Sequence, residues 1–580
     1  MKKIIVLLAV ICLYHTSYSQ PYFQKITTGE IVNSVTSSDR CAWGDYDNDG
    51  FQDLVISGYA DNCQTCNFPI LLYHNNGDGT FTRITTGPIA TYSGRTFGCA
   101  WGDYDNDGKL DLMVCVGFQQ NNLLFHNEGN GVFTQVTIGP IVNDIGWSQA
   151  CAWCDYDRDG WLDLFVSNEY NKPNFLYHNN GNGTFTKVTS GSIVNDIGWS
   201  RGAAWGDYDN DGWPDLFVVN YQGINDFLYH NNGNGTFTKI TSGPEVTDID
   251  WGSGCSWGDY DNDGYLDLYV TNNNTPNRLY HNNGNGTFTL SPTQPSLENG
   301  LSFGSGWEDF DNDGYLDLFV AKQQTSNALF KNFNGVSFSR VSNDVVGIDG
   351  GFSAFGIWGD YNNDGKIDLF VSNTGSPTTN FLYKNVSNGG NYVICKLKGG
   401  CHSNKSGIGA RINLYSGNLS EIREISGGSS MGTQDMLWQH FGVGNHSMID
   451  SIIVSWPYGN TPELQKLRNI PVNQTITIEE CVIGIKSNNN QIPLDYSLLQ
   501  NHPNPFNPTT KIKFELPASD DVKLKIYDNL GNEVTTLIDS KLNAGYYEIE
   551  FKGENLSSGV YFYKLIAGNY IVTRKMVLIK

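Results

Sequence analysis

Trp205-Gly206-Asp207-Tyr208-Asp209-Asn210-Asp211-Gly212 is one of seven near copies of a single phrase, the others beginning at Trp43, Trp101, Trp153, Trp257, Trp307 and Trp358. Successive copies lie 58, 52, 52, 52, 50 and 51 residues apart, and self-similarity at one period signals a repeat architecture before any local propensity is weighed. Each copy is followed by an apolar run such as Leu164-Phe165-Val166, then by a segment like Asn174-Phe175-Leu176-Tyr177-His178-Asn179. A Gly-Asn-Gly turn and an alternating stretch such as Thr184-Phe185-Thr186-Lys187-Val188-Thr189 complete the unit. Asn-Gly between short β-rich runs marks a hairpin, and no stretch shows a helical period. Four strands per repeat and seven repeats predict an all-β fold, a seven-bladed β-propeller over residues 20–390.

The seams agree with a closed ring. Tyr22-Phe23-Gln24-Lys25-Ile26-Thr27-Thr28-Gly29 matches the fourth strand of a repeat, Thr236 to Gly243, with no first three strands before it. The seventh repeat runs through Tyr383-Lys384-Asn385 and then leaves the pattern. The N-terminal strand is therefore expected to complete blade seven, removing the edges an open sheet would expose.

Within the phrase, carboxylates fall at loop positions 1, 3, 5 and 9. The sets are Asp45, Asp47, Asp49, Asp53; Asp103, Asp105, Asp107, Asp111; Asp155, Asp157, Asp159, Asp163; and Asp207, Asp209, Asp211, Asp215. They continue as Asp259, Asp261, Asp263, Asp267; Asp309, Asp311, Asp313, Asp317; and Asp360, Asn362, Asp364, Asp368. Alternate residues of a tight loop can turn their oxygens to one centre, and the glycine at position 6 permits the reversal. Hard oxygen donors favour Ca2+, with magnesium second, in about seven sites. An EF-hand is excluded, since no Glu stands at position 12 and strands flank the loop. Metal-free Asx-turns would leave four carboxylates packed together without compensation.

These repeats resemble FG-GAP/VCBS repeats, the integrin-α-like propeller modules, over roughly residues 21–390. The resemblance implies calcium in the hairpin loops, and only Asn362 departs from the pattern. Residues 391–482 resemble the ASPIC/UnbV domain of cartilage-acidic-protein-like chains through Gly407-Ile408-Gly409-Ala410-Arg411, Gly427-Gly428-Ser429-Ser430, His440-Phe441-Gly442-Val443-Gly444 and Val454-Ser455-Trp456-Pro457. After a polar linker at 483–495, residues 496–580 resemble a type IX secretion (type A) sorting domain. The matching motifs are Asn504-Pro505-Phe506-Asn507-Pro508, Ile526-Tyr527-Asp528, Ser558-Gly559-Val560-Tyr561 and Arg574-Lys575-Met576. Both are expected to be small β-sandwich-like domains, and the last implies the type IX secretion machinery as a partner.

Residues 1–19 read as a signal peptide, with Lys2 and Lys3, an apolar run from Ile4 to Tyr14 and Ser17-Tyr18-Ser19 before the cut. No transmembrane segment is expected. The chain is thus expected to be secreted or held on the outer cell surface of a Gram-negative bacterium. Net charge is −24; disorder is excluded by 30 Phe, 31 Tyr and 14 Trp, and nucleic acid is excluded as a partner because this field repels it. Cys41, Cys99, Cys151 and Cys255 share one repeat position with Ala203, Ser305 and Gly356, which reads as small and buried. Cys63 with Cys66, and Cys395 with Cys401, are open to disulfide pairing on export, and a zinc site at the first pair lacks further ligands nearby.

Catalytic signatures are missing: there is no G-x-S-x-G, H-E-x-x-H or P-loop. His74, His126, His178, His230 and His281 share a position with Lys331 and Lys384, which reads as scaffold rather than base or ligand. Trp147, Trp199, Trp251 and Phe352 each stand four residues before the small residue of an inner strand, on the face opposite the Asp loops. With Tyr59, Tyr170 and Tyr221 they read either as packing between blades or as a platform for a glycan or extracellular protein ligand. The function expected is non-catalytic binding; the alternative is a calcium-dependent polysaccharide-degrading enzyme, lyase-like, on the same scaffold.

Overall fold

The computed structural model describes residues 20–580 except 36, 60–67, 376–377, 401, 460–462, 481–492, 494, 519, 543–544 and 554–555. The expected signal peptide, Cys63, Cys66, Cys401 and most of the linker lie outside the described residues.

Blade four shows the unit. Ser200–Gly206, Asp215–Asn220, Phe227–Asn231 and Phe237–Ile240 pair antiparallel in chain order. A bulge between Ser200 and Ala203 bends the inner strand, and the same irregularity recurs in the other inner strands. Seven such units are present among the described residues. Their inner strands touch in turn, and the last, Gly350–Gly359, touches the first, Ser38–Gly44. Phe23–Ile26 pairs with Phe381–Asn385, Phe23 opposite Asn385, so the N-terminal strand completes the seventh unit.

One-turn helices link the blades, as at Pro140–Asn143 and Pro244–Thr247. A single turn is too short to show a period in sequence. Each blade packs on the next through the Trp that opens the phrase: a Cβ on Gly44 would meet the Trp101 ring at 2.7 Å. The Gly359–Trp43 contact repeats this across the closure, at 2.9 Å. Cys41, Cys99, Cys151 and Cys255 are buried and free.

Residues 391–398 and 402–478 form one compact unit with the propeller. Two sheets build this module, one of them Leu419–Glu424, Arg411–Ser416, Met448–Trp456 and Glu463–Pro471. From it, residues 426–438 run down the bore of the propeller and satisfy backbone groups on the free edges of the inner strands. Gly427 O accepts from Trp153 N–H (3.0 Å), Gly432 O from Cys99 N–H (3.1 Å), and Ser430 N–H donates to Cys255 O (2.7 Å). Gln434 serves two blades: its backbone pairs with Cys41 and Trp43, and its amide both accepts from Trp101 N–H (2.7 Å) and donates to Trp101 O (2.9 Å). The bore has room because the inner strands present small residues there. A Cβ on Gly202 would meet Ser430 O at 2.3 Å, and one on Gly432 would meet Gly98 Cα at 2.7 Å.

The second unit, 479–580 with 399–401, has its own core of Ile512, Phe514, Leu524, Tyr563, Leu565 and Met576 between two antiparallel sheets. Among the described residues no helix is long and apolar enough to cross a membrane.

Gln434→Ala strands the buried N–H and C=O of Trp101. The expected cost is about 2–5 kcal/mol, each orphaned group costing ~1–3, read as a lower urea midpoint with unchanged secondary structure; an unshifted midpoint would contradict the role of the plug.

Candidate metal centres and the opposite face

Loop four folds around its own carboxylates. Asp207 accepts from Asp211 N–H (3.1 Å) and Gly212 N–H (2.9 Å), and Asp211 accepts from Trp213 N–H (2.8 Å). Asp215, already in the second strand, accepts from Tyr208 N–H (3.3 Å) and Asn231 N–H (2.7 Å). These bonds hold positions 1, 5 and 9 around one centre, and the same pattern recurs in the other loops, as at Asp155, Asp159 and Asp163. All seven position-9 aspartates are at most 1 % exposed.

Several of these oxygens have no partner in the protein. Asp45, Asp47, Asp157, Asp261 and Asp311 each leave a buried Oδ1 without a hydrogen bond, and Asp317 leaves Oδ2. Burial pushes Asp53 up to about 9, and Asp103, Asp215 and Asp259 up to about 8. An isolated cluster of this kind would give up its charge; a cation at its centre would hold it ionised. The residues present therefore fit a metal ion, and the clusters have the donors and spacing to hold one.

The histidines belong to these clusters, a correction to their reading as scaffold. His230 Nδ1 lies 3.3 Å from Asp209 and 3.2 Å from Asp215; His74, His178 and His281 repeat the arrangement. In these four Nδ1 has no aligned hydrogen bond, whereas His126 is bonded to Asp111 at 3.2 Å; the position-9 aspartate beside each pushes His126, His178, His230 and His281 alike up to about 9. In blade six Lys331 replaces the imidazole and ion-pairs with Asp311 and with Asp313 (2.8 Å). Lys384 in blade seven lies 2.9 Å from Asp364. There Asn362 turns its amide to Asp368, donating to it at 2.9 Å, so that loop position 3 carries a hydrogen-bonded amide in place of a carboxylate.

Two asparagine positions escape a reading fixed on carboxylates, the first of them held in blade three by Arg158. At loop position 4, Asn210 adopts φ 61° and donates to Gly264 O of the next loop (3.0 Å); Asn48, Asn106 and Asn262 do likewise, and Asn363 reaches Gly50 across the closure. Asn tolerates the left-handed region better than most residues, so its recurrence was the available signal. On the third strand, Asn231 donates to Tyr156 O of the preceding blade (2.8 Å). Asn75, Asn127, Asn179, Asn282, Asn332 and Asn385 repeat that bond at 2.7 Å around the whole ring.

The module lies over this face. Arg411 bonds Glu424 (2.7 Å) and the carbonyl of Asp207 (2.7 Å), Ser406 accepts from Asp103 N–H (3.1 Å), and Gly444 N–H donates to Asn312 O (2.8 Å).

The opposite face holds a cavity of about 410 Å³ at the mouth of the bore, to which all seven blades contribute. Trp147 lines it, 4.1 Å from Tyr170 between ring centroids, and Tyr170 stands 4.4 Å from Trp199. Phe118, Phe97 and Tyr59 continue the arc. Trp251, which does not line the cavity, meets Tyr221 edge-on at 5.0 Å, and Phe352 is 48 % exposed with no ring partner among the described residues. Of the four aromatic residues expected here, only Trp147 lines the cavity wall, and Trp199 backs it.

Comparison with known families now has a structure to attach to. The FG-GAP-like repeat matches residues 45–114, 113–166, 155–218, 207–270, 259–320 and 309–371, more than half of the chain, which belongs to this family. Residues 400–482 match the ASPIC and UnbV family, and 500–580 a secretion system C-terminal sorting domain. The chain is therefore an FG-GAP propeller-type protein whose tail marks it for secretion or the outer surface. Among individual proteins, it is 26% identical to cartilage acidic protein 1 of Xenopus tropicalis over 496 residues, 76% of this chain and 74% of that one. The mouse (Mus musculus) protein of that name is 33% identical over 125 residues, 20% and 19% of the two chains. A solved structure described as "Crystal structure of BBS1N in complex with ARL6DN, soaked with mercury" covers 64% of this chain and 98% of its own at 12% identity and TM-score 0.42, too low to carry an argument.

Asn231→Ala removes the bonds to Tyr156 O and Pro214 O. It is expected to cost about 2–4 kcal/mol, and to the same extent with or without a chelator. A loss seen only in the metal-loaded protein would contradict an interblade role.

Proposed function

We propose that the chain is an exported, calcium-dependent binding protein that does not turn its ligand over. About seven Ca2+ ions would sit one per loop, held by positions 1, 3, 5 and 9 with the histidine alongside. The bound ion supplies the positive charge that lets buried carboxylates stay ionised. The observation that carries this reading is the set of buried, unpartnered Asp oxygens in loops one, three, five and six. All-oxygen loops with one adjacent nitrogen suit a hard cation. Sites six and seven bind more weakly, because Lys331 already neutralises loop six and Asn362 fills part of loop seven. The same reading divides the mature chain into a propeller at 20–390, a module at 391–482 and a sorting domain at 496–580.

The ligand, an extracellular glycan or protein, would meet the face opposite the loops. The acids of that cavity favour binding over catalysis: Asp39 is ion-paired with Arg40, and Glu169 with Arg201 at 2.6 Å. A general acid or base needs a carboxylate poised to exchange a proton, and neither is so placed.

Chelation should lower the melting temperature. With millimolar calcium and affinities near ~10⁻⁴ M, each site contributes about 1.4 kcal/mol, a large share when summed against a net stability of ~5–15 kcal/mol. Asp209→Ala should remove most of one site's share and Asn362→Ala little. A melt indifferent to chelator and calcium would sink the assignment.

Delivery has its own test. Residues 496–580 fused to an exported reporter should carry it to the surface of a host with type IX secretion. A reporter held in the periplasm while a native cargo exports normally would refute the assignment.

A further inference from the structure

Four side chains from three blades form a belt across the mouth of the bore. Arg40 donates to Gln149 (3.1 Å), Gln149 to Glu169 (3.1 Å), and Arg201 to Glu169 (2.6 Å). Arg40, Gln149 and Glu169 are 3–6 % exposed, yet all four line the cavity. The remaining N–H groups of Arg201 meet no acceptor among the described residues, while its guanidinium lies 3.6 Å over the Tyr221 ring, which holds it flat. The floor comes from the module: Met431, at the tip of the plug, lines the cavity and accepts from Arg40 Nε at 3.2 Å.

Above the belt stand the rings of Phe118, Trp147, Tyr170 and Trp199, each tilted against the next. Two of them sit on backbone that a bulky residue rarely adopts, Phe118 at φ 61° and Tyr170 at φ 60°. The equivalent positions elsewhere in the ring are Gln222, Asn274, Gln324 and Gly375. Sequence thus retains an aromatic ring where a smaller residue would be less strained, a pattern associated with binding sites.

We propose that this cavity is a site for a neutral saccharide, stacked on the Trp147–Tyr170 pair and hydrogen-bonded by the Arg40–Gln149–Glu169–Arg201 belt. Sugar rings offer apolar C–H faces to aromatic rings and a rim of hydroxyls to planar polar groups, and the cavity supplies both side by side. Two arginines, Asp39 and Glu169 cancel in formal charge, so nothing here selects a uronate or a sulfate. The volume falls within the ~300–1,000 Å³ usual for small-ligand pockets. The module is part of the site, because its plug supplies the floor and fixes the Arg40 side chain. This inference rests on the reading that the face opposite the Asp loops takes the ligand.

The test uses the full mature chain in calcium against an array of neutral, amino, uronic and sulfated oligosaccharides, followed by titration calorimetry with the neutral binders. Tyr170→Gly is expected to weaken binding at least tenfold while leaving the melting temperature unchanged or higher, since glycine relieves the backbone at φ 60°. Gln149→Leu is expected to weaken binding by a similar factor. Neutral-glycan binding that both variants leave intact would overturn the proposal. So would binding confined to acidic glycans, or a protein captured by a photo-crosslinker at Trp199 with no glycan bound; either would leave the ligand face standing. Neither glycan binding nor capture would overturn both the saccharide site and the face it rests on.

Discussion

Fourteen aspartates, at positions 1 and 9 of seven loops, are buried on one side of this protein, and a buried carboxylate is tolerable only when its charge is met. Much of the local architecture answers that demand. Backbone N–H groups of each loop converge on its own carboxylates, the strand asparagines add their N–H groups, and a histidine or lysine stands beside each cluster. The same asparagines reach across to the neighbouring blade, so the bonds that satisfy one loop also hold the ring together. Carboxylate burial and blade packing are in this sense one network.

Commitment of one face to charge leaves the two faces unequal. The Asp face is covered by the ASPIC/UnbV module, whose Arg411 and Ser406 bond directly to loop residues. Its plug passes between the inner strands and emerges among the side chains of the other face. The module thus reaches both ends of the bore, and the open end presents aromatic rings and paired charges rather than carboxylate loops. Carboxylate loops on one side of a blade and aromatic rings on the other need only different loops on a common set of strands.

Repeat spacing made the β-architecture legible, because hydrophobic runs and turns at a fixed period leave few alternatives. The clustering of the loop aspartates was legible for the same reason: Asp at alternating positions of a tight loop brings its oxygens together. What escaped was whatever depends on partners distant in sequence. His230 looked exchangeable for lysine, and it is, but both side chains do the same electrostatic work against a loop that begins more than twenty residues earlier. Gly202 and Gly254 look like breaks in a strand until Ser430 is seen filling the space they leave. Gln434 carries no motif, and its role follows from the unpaired edges of inner strands rather than from its own neighbours. Aromatic residues before the inner strands were placed opposite the Asp loops by their position in the repeat, and that position does not say which of them line a cavity.

Closure of the ring joins Phe23 to Asn385, and the plug brings Gln434 back to Cys41. Blades two to six can each stack on a predecessor as they form, but the seventh waits for a strand at the far end of the chain, and the bore waits longer still. Contacts this remote are slow to make, since loop entropy must be surrendered before they return anything. The same order runs backwards on unfolding: the plug has to leave and the ring has to part before any blade is released. Such a topology places a barrier at ring opening and plug release, and a barrier sets how long a fold lasts whatever its equilibrium stability.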